Sequence, residues 1–415
     1  MKIALLAPHM FMQEDLMNDV IFSPGFLAIE LANGLAKNGN EVSLFTPSKV
    51  KVSTKVKNIT GDFSLIAKEL LNRGYKLNEL MHKHPLTYIT LARQIQTELI
   101  AKAYKMANDG KFDIVHVYMN EEDIALNFAK LCNKPVVFTH HEPLNFLTKY
   151  RTSFEKFKNL NWISISMAQR KTVTFTPPSS TPLPPLKGSK FNWVGNVYHG
   201  IKIRNSKSEI RNLKIEGDSY FVYLGRIIEP KGVHLAIKAV KEFNRKRHVD
   251  VSPSTNYKLK IAGKHYSSVH DKYWEQKIAP FIDNKEIDYL GFINDEKAKN
   301  KLLANAKALL IPSTWDEPFG MVMLEALAVG TPIVGLDNGA IPEVIQNKFN
   351  GILVKTERNG NLVNEQKTIK NLVEALQEVN KIKAVDCLKS IEKFSIENMV
   401  KGYEKIYRKL MLDSH

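Results

Sequence analysis

The chain is poor in the residues that staple or anchor a protein. Of its 415 residues only two are cysteine, Cys132 and Cys387. Two cysteines cannot build a disulfide framework or a four-cysteine zinc site, and a buried, reduced thiol in a reducing compartment is the expectation for each. No run of 18 apolar residues occurs, so no segment reads as a membrane span. Residues 1–9 are apolar for five positions only and carry no convincing small-residue cleavage pattern, so a first strand is expected there, not a signal peptide. Glycine-based nucleotide signatures are also missing. No Gly-x-Gly-x-x-Gly follows the first strand, which argues against a nicotinamide or flavin enzyme. Gly195 and Gly200 are followed by Ile201 and then Lys202, out of register for a P-loop. No two aspartates stand two apart, so an Asp-x-Asp metal site is absent.

What is present describes a globular chain. It is 44% apolar and 25% charged, too long for one ordinary core and suited to two α/β domains. The formal net charge is +16, shared evenly between the two halves. It concentrates locally in 149–214, where 13 Lys and Arg face only Glu155 and Glu209. Such a surplus favours anionic partners such as nucleotides, phospholipid headgroups or nucleic acid. A lysine-rich surface that only keeps the protein soluble accounts for most of it.

Hydrophobic periodicity alternates between strand and helix. In the first half, strands are expected at 2–7, 42–45, 114–117, 136–138, 163–165 and 193–198. Helices are expected at 27–38, with Leu27, Leu31 and Leu35 on one face and Gly39 as a stop, and at 90–108. Five prolines in 177–185 mark a stiff loop, and the polar run 202–218 reads as the domain hinge. A second series begins at 220–224. It continues with strands at 259–261, 287–290, 308–311 and 333–335, helices at 235–243, 298–306 and 321–329, and closing helices at 367–379 and 396–411. Short, doubly apolar strands between helices imply parallel sheets and Rossmann-like domains.

Two clusters carry chemistry. In Ser313-Thr314-Trp315-Asp316-Glu317-Pro318-Phe319-Gly320 a polar loop leads from a strand into a helix that contains Glu325 among Met323, Leu324, Ala326 and Leu327. Eight residues of helix rise about 12 Å, comparable to the hexose-to-ribose separation in a nucleoside diphosphate sugar. Free amides at such a helix start suit a diphosphate. Alternatively Glu317 only caps the helix and complements its dipole. Glu325 is harder to dismiss, because a carboxylate with apolar flanks needs a partner, and a sugar diol offers two donors. The second cluster, Gly225-Arg226 through Lys231-Gly232, follows the first strand of the second series, where open α/β sheets bind ligands. Two cations there make a diphosphate cradle without metal. Taken alone, the cluster reads first as a salt-bridged surface turn, with Arg226 or Lys231 paired to Glu229.

Together, Gly225-Arg226, Lys231-Gly232, Gly291-Phe292, Glu317-Pro318-Phe319-Gly320 and Glu325-Ala326 resemble the retaining glycosyltransferases of family 4, also called glycosyl transferases group 1. The resemblance extends, more loosely, to 113–116, 136–142, 164–166 and the closing helix. It implies a GT-B fold, α/β, with two Rossmann-like domains whose parallel sheets face across a cleft. The first would span 1–205, with 396–415 crossing back, and the second 206–395. It implies a metal-independent, retaining hexosyltransferase of carbohydrate biosynthesis. The co-substrate would be a nucleoside diphosphate sugar, with no further cofactor. Arg226 and Lys231 would neutralise the diphosphate, and Glu317 would contact the donor sugar near its anomeric end. Glu325 would hold the ribose. Gly225 and the backbone of Phe319, Gly320, Met321 and Val322 would complete the site. His141 matches the family histidine that reaches the donor sugar from the first domain, and it reads equally as a strand-end histidine bonded within the core. Gly25 matches one of two family glycines after strand one.

The acceptor would be a sugar, a lipid-linked molecule or a small molecule. Met10, Phe11, Met12 and Met17 suit such an acceptor, or pack on their own domain. A cytoplasmic protein with peripheral contact to an anionic inner membrane face is expected, and no nucleic-acid partner. The rival readings are a sugar-nucleotide epimerase of the same fold and a non-enzymatic nucleic-acid binder.

Overall fold

The computed structural model describes the chain apart from residues 14–15, 17–21, 62–71, 75–76, 119–122, 145–153, 172–190, 204–219, 251–255, 266–270, 360–361 and 414–415. The proline-rich segment 177–185, Met17 and most of 202–218 therefore lie outside the described residues. The chain divides into two compact units, Met1–Gly200 with Ile396–His415, and Ile201–Ser395.

The first unit is a seven-stranded sheet in the order β3-β2-β1-β4-β5-β6-β7. Its strands are β1 (Lys2–Leu6), β2 (Glu41–Thr46), β3 (Val56–Thr60), β4 (Ile114–Val117), β5 (Val136–Thr139), β6 (Asn161–Ser164) and β7 (Trp193–Asn196). Every pairing is parallel. Strands such as Ile-Val-His-Val of β4 are buried throughout, the signature of a sheet covered on both faces. Helix α1 (Ser23–Lys37) carries Pro24 in its first turn and buries Leu27, Leu31 and Leu35. It starts four residues before the expected 27, so Gly25 is not in a loop. It lies in the first turn of α1, where a side chain would strike Met12 and Phe22. Helix α2 (Pro85–Asn108) likewise starts five residues early, at a proline. Met10 and Met12 are buried, so that part of the loop packs on its own domain. Cys387 is buried as expected, whereas Cys132 is half-buried, following a short 3-10 turn whose Leu131 is exposed.

The second unit is a six-stranded sheet in the order β10-β9-β8-β11-β12-β13. The strands are β8 (Tyr220–Leu224), β9 (Lys258–Ala262), β10 (Ile287–Gly291), β11 (Leu309–Ile311), β12 (Ile333–Leu336) and β13 (Gly351–Val354), again all parallel. Helices α3 (Val233–Asp250), α4 (Glu296–Ala304), α5 (Met321–Leu327) and α6 (Glu365–Glu378) alternate with them.

The closing helix α7 (Ile396–Leu412) belongs to the first unit. Its buried stripe is Met399, Val400, Tyr403, Ile406, Tyr407 and Leu410. Gly34 of α1 lets this stripe come close, because a Cβ there would overlap the side chain of Val400. Asn38 and Asn40, just past α1, donate to the two carboxylate oxygens of Glu404 at 3.1 and 2.5 Å.

This packing makes a prediction. Overfilling a tight contact costs about 1–3 kcal/mol. Gly34→Val is expected to lower the thermal unfolding midpoint, and adding Val400→Ala to recover part of the loss. Circular dichroism melts of both variants check this; an unchanged midpoint for Gly34→Val contradicts the close contact.

Candidate functional site

In the second sheet β8 has β9 on one side and β11 on the other, so the strand order reverses between β8 and β11. Loops leaving the carboxyl ends of two such strands diverge to opposite faces and open a crevice for ligands. The sequence clusters lie on these two loops. Gly225 and Arg226 follow β8, and Pro312 through Gly320 follow β11.

The two loops touch. Thr314 N donates to the Pro230 carbonyl at 2.8 Å. Gly232 has φ 69°, and a Cβ there would strike the Pro312 carbonyl. This brings Lys231 to Glu317, and the two form an ion pair with side chains only 16% and 10% exposed. Trp315 lies beside both cations. The Lys231 ammonium is 5.1 Å from its ring centroid and the Arg226 guanidinium 5.8 Å. Such cation–π contacts are worth about 0.5–2 kcal/mol each. Two like charges are thereby held together by a π face and a carboxylate. Burial raises the Tyr223 hydroxyl well above its usual range, and it donates to the Arg226 carbonyl at 2.6 Å, bracing the first loop.

A third segment, after β12, clamps the second loop. Ala340 N donates to the Glu317 carbonyl at 2.7 Å. Gly339 has φ 57°, and a Cβ there would strike the Glu317 backbone. Asn338 Nδ2 donates to the Ser313 carbonyl at 2.7 Å, while Arg358 donates to the Asn338 side chain at 3.0 Å and to the Thr314 carbonyl at 3.2 Å.

Several expectations change here. Glu317 is not a helix cap: the cap residue of α5 is Gly320, at φ 89°, with no side-chain capping bond. Lys231 pairs with Glu317 in place of Glu229. Helix α5 begins only at Met321, so the 12 Å helical rise does not describe the step from Glu317 to Glu325. Phe319 is 1% exposed and packs edge-on against Phe394, so its ring is a core side chain and not a ligand contact. Met321 and Val322, the first residues of α5, are half-buried. Glu325 does have a partner, Lys299 of α4, whose ammonium lies 2.6 Å from Oε1. Trp315 stood inside the quoted motif without a role. Lys299, Asn338, Gly339 and Arg358 carried no local signal, since each is defined by a contact distant in sequence.

Gly25 and His141 belong to the first unit. His141 follows β5 and is buried. Its ring stacks on His199, with Nδ1 3.4 Å from Nε2 of that residue, and meets Tyr118 edge-on. Next to them, His116 bonds the Tyr407 hydroxyl at 2.5 Å and Thr139 at 2.8 Å, linking β4, β5 and α7. His140 lies against Phe154. Among the described residues no three His, Cys, Asp or Glu side chains gather as a metal site, and no helix is long and apolar enough to cross a membrane.

Burial lowers His116 and His199 to about 3, and burial followed by the neighbouring His199 lowers His141 well below the ordinary value. Between the unfolded value of about 6.5 and these lowered values, the unfolded chain binds more protons than the folded one. Stability is therefore full above pH 6.5 or so and lost as pH falls, at up to about 1.4 kcal/mol per pH unit for each histidine. Urea denaturation from pH 7.5 to 5 should show this, with a shallower slope in His199→Asn. Equal slopes would contradict a neutral His199.

Comparisons with known proteins follow the same division. A family model described as Glycosyl transferases group 1 matches residues 205–379, and one described as Glycosyltransferase Family 4 matches 26–179. An uncharacterised glycosyltransferase of Methanocaldococcus jannaschii is 26% identical over 360 residues, covering 80% of this chain and 81% of its own. The structure of Anabaena HepE with UDP and glucose superposes with a TM-score of 0.63 at 15% identity, covering 99% of this chain and 100% of that one. Sucrose-phosphate synthase of Thermosynechococcus elongatus gives 0.66 at 15% identity, covering 99% of each chain.

Proposed function

The chain belongs to the group 1 glycosyltransferases of GT-B fold, and from that premise we propose that it moves a hexose from a nucleoside diphosphate sugar to an acceptor hydroxyl, with retention and without a metal ion. The observation that carries this reading is the convergence of Arg226, Lys231 and Glu317 around Trp315 at the strand-order reversal of the second sheet. Two cations beside the carboxyl ends of parallel strands form a receptor for a diphosphate.

In this mechanism the sugar–phosphate bond breaks first, and negative charge grows on the departing diphosphate. Arg226 and Lys231 stabilise that charge, already oriented by Trp315 and Glu317. The acceptor hydroxyl attacks from the face the diphosphate leaves, and its proton passes to a phosphate oxygen. No covalent nucleophile is needed. Glu317, beside Lys231, faces the anomeric end of the donor, and the backbone of Gly225 and Phe319–Val322 lines the diphosphate. Glu325 accepts from the ribose hydroxyls. His141 and Gly25, in the first unit, are the further candidate residues that the family resemblance marks. HepE has been observed with UDP and with UDP-glucose, which makes a UDP sugar the first donor to assay.

The kinetics separate these roles. Arg226→Ala and Lys231→Ala should lower kcat by roughly 10²–10³-fold, the scale for one lost stabilising donor, with a smaller change in KM for donor. Glu325→Ala should raise KM and spare kcat, because the ribose does not change in the reaction. Release of nucleoside diphosphate measures both. Intact turnover in the two cation variants would overturn the cradle, and NMR of the product's anomeric configuration tests retention.

A lipid-linked acceptor reached at an anionic membrane is a further part of the reading. It rests on the basic stretch 149–214, of which Lys156, Lys171 and Lys202 are described and exposed. Each Lys or Arg near such a surface contributes about 1 kcal/mol. Co-sedimentation with anionic but not neutral liposomes at low salt is the expected result; equal binding to both would exclude it.

A further inference from the structure

Glu325 and Lys299 form an ion pair whose side chains are 22% and 24% exposed, on helices α5 and α4. A pair this accessible adds little to folding stability. Its geometry is nevertheless well held. Asp295 caps α4, its side chain accepting from Ala298 N at 2.6 Å, and the Lys299 backbone N donates to the Asp295 carbonyl at 2.9 Å. At the other end of α4, the Thr331 hydroxyl, beyond α5, donates to the Leu303 carbonyl at 2.7 Å. The backbone on both sides of the pair is thus fixed, and the ammonium holds Oε1 of Glu325 at 2.6 Å.

A carboxylate only accepts hydrogen bonds and an ammonium only donates them, so together they complement a hydroxyl, which does both. The ammonium has three N–H groups and spends one on Glu325. We infer that Lys299 is a second ribose-recognition residue: it fixes the Glu325 carboxylate and donates to the oxygen of the ribose hydroxyl whose proton that carboxylate accepts. This rests on the reading of Glu325 as the ribose contact. It goes beyond that reading by making the site selective for ribonucleotides over deoxyribonucleotides. A missing hydroxyl leaves a bond unmade to each of two charged groups, and a preference of about 10- to 100-fold follows from the strength of charged hydrogen bonds.

The test uses the full chain and isothermal titration with UDP, ADP and GDP and with the 2′-deoxy and 3′-deoxy form of each. Wild type should bind at least one ribonucleotide about 10-fold or more tighter than one of its deoxy forms. Lys299→Met should reduce that ratio several-fold, to what Glu325 alone provides, by weakening the ribonucleotide and leaving the deoxy form unchanged, while Lys299→Arg keeps part of the lost preference. Lys299→Gln serves if Lys299→Met fails to fold. A purely structural pair would lower the melting midpoint without moving the ratio. If Glu325→Gln abolishes the ratio but Lys299→Met and Lys299→Gln leave it intact, the inference about Lys299 fails and the reading of Glu325 stands. If wild type binds none of these nucleotides, shows no ribose preference, or keeps its preference in Glu325→Gln, the reading of Glu325 itself fails.

Discussion

The close passage of two loops at the strand-order reversal of the second sheet is the constraint on which the candidate site depends. Lys231 and Glu317 are 86 residues apart and come from loops after different strands. They meet because Gly232 lets one loop lie against the Pro312 carbonyl and Gly339 lets a third segment lie against Glu317. A Cβ at either position would force the loops apart. Trp315, Arg226 and Lys231 form their cation–π cluster only within that spacing. The charges are consequences of a backbone packing problem solved by glycine.

The two units handle buried polarity in opposite ways. The second keeps its charges and pairs them, Lys231 with Glu317 and Lys299 with Glu325, all four side chains partly exposed. Pairing offsets the desolvation that an isolated buried charge would suffer. The first unit keeps its histidines neutral. His116, His141 and His199 are buried, and hydrogen bonds from His116 to Tyr407 and Thr139 and ring contacts with Tyr118 take the place of counter-ions. A neutral network of this kind ties α7 to the sheet without a charge to solvate.

Much of the architecture was legible from local pattern. Strands buried on both faces announce themselves as short apolar runs, as in β4 and β12. Polar or glycine-led strands do not, and β3 and β13 went unread: in Val-Lys-Asn-Ile-Thr only Val56 and Ile59 are buried, because this strand lies at the sheet edge. The helix starts at Ser23 and Pro85 were missed because apolar periodicity begins only after the first turn, whereas proline sets the start. The need of Glu325 for a partner was visible in its apolar flanks. Its partner, Lys299, was not, since nothing in the α4 sequence marks one of its three lysines, Lys297, Lys299 and Lys301, as facing another helix.

The sequence by itself determined the alternation of strands and helices, the two Rossmann-like units, and the residue types at the carboxyl ends of β8 and β11. These follow from side-chain period and burial, which are local properties. Tertiary structure alone decided which charges pair. It turned Glu317 from a helix cap into the partner of Lys231, placed Gly25 inside a helix and gave Trp315 its two cations. Ion pairs and close backbone contacts depend on distances between segments far apart in the chain, and those distances exist only once the parallel sheet has set the order of its strands.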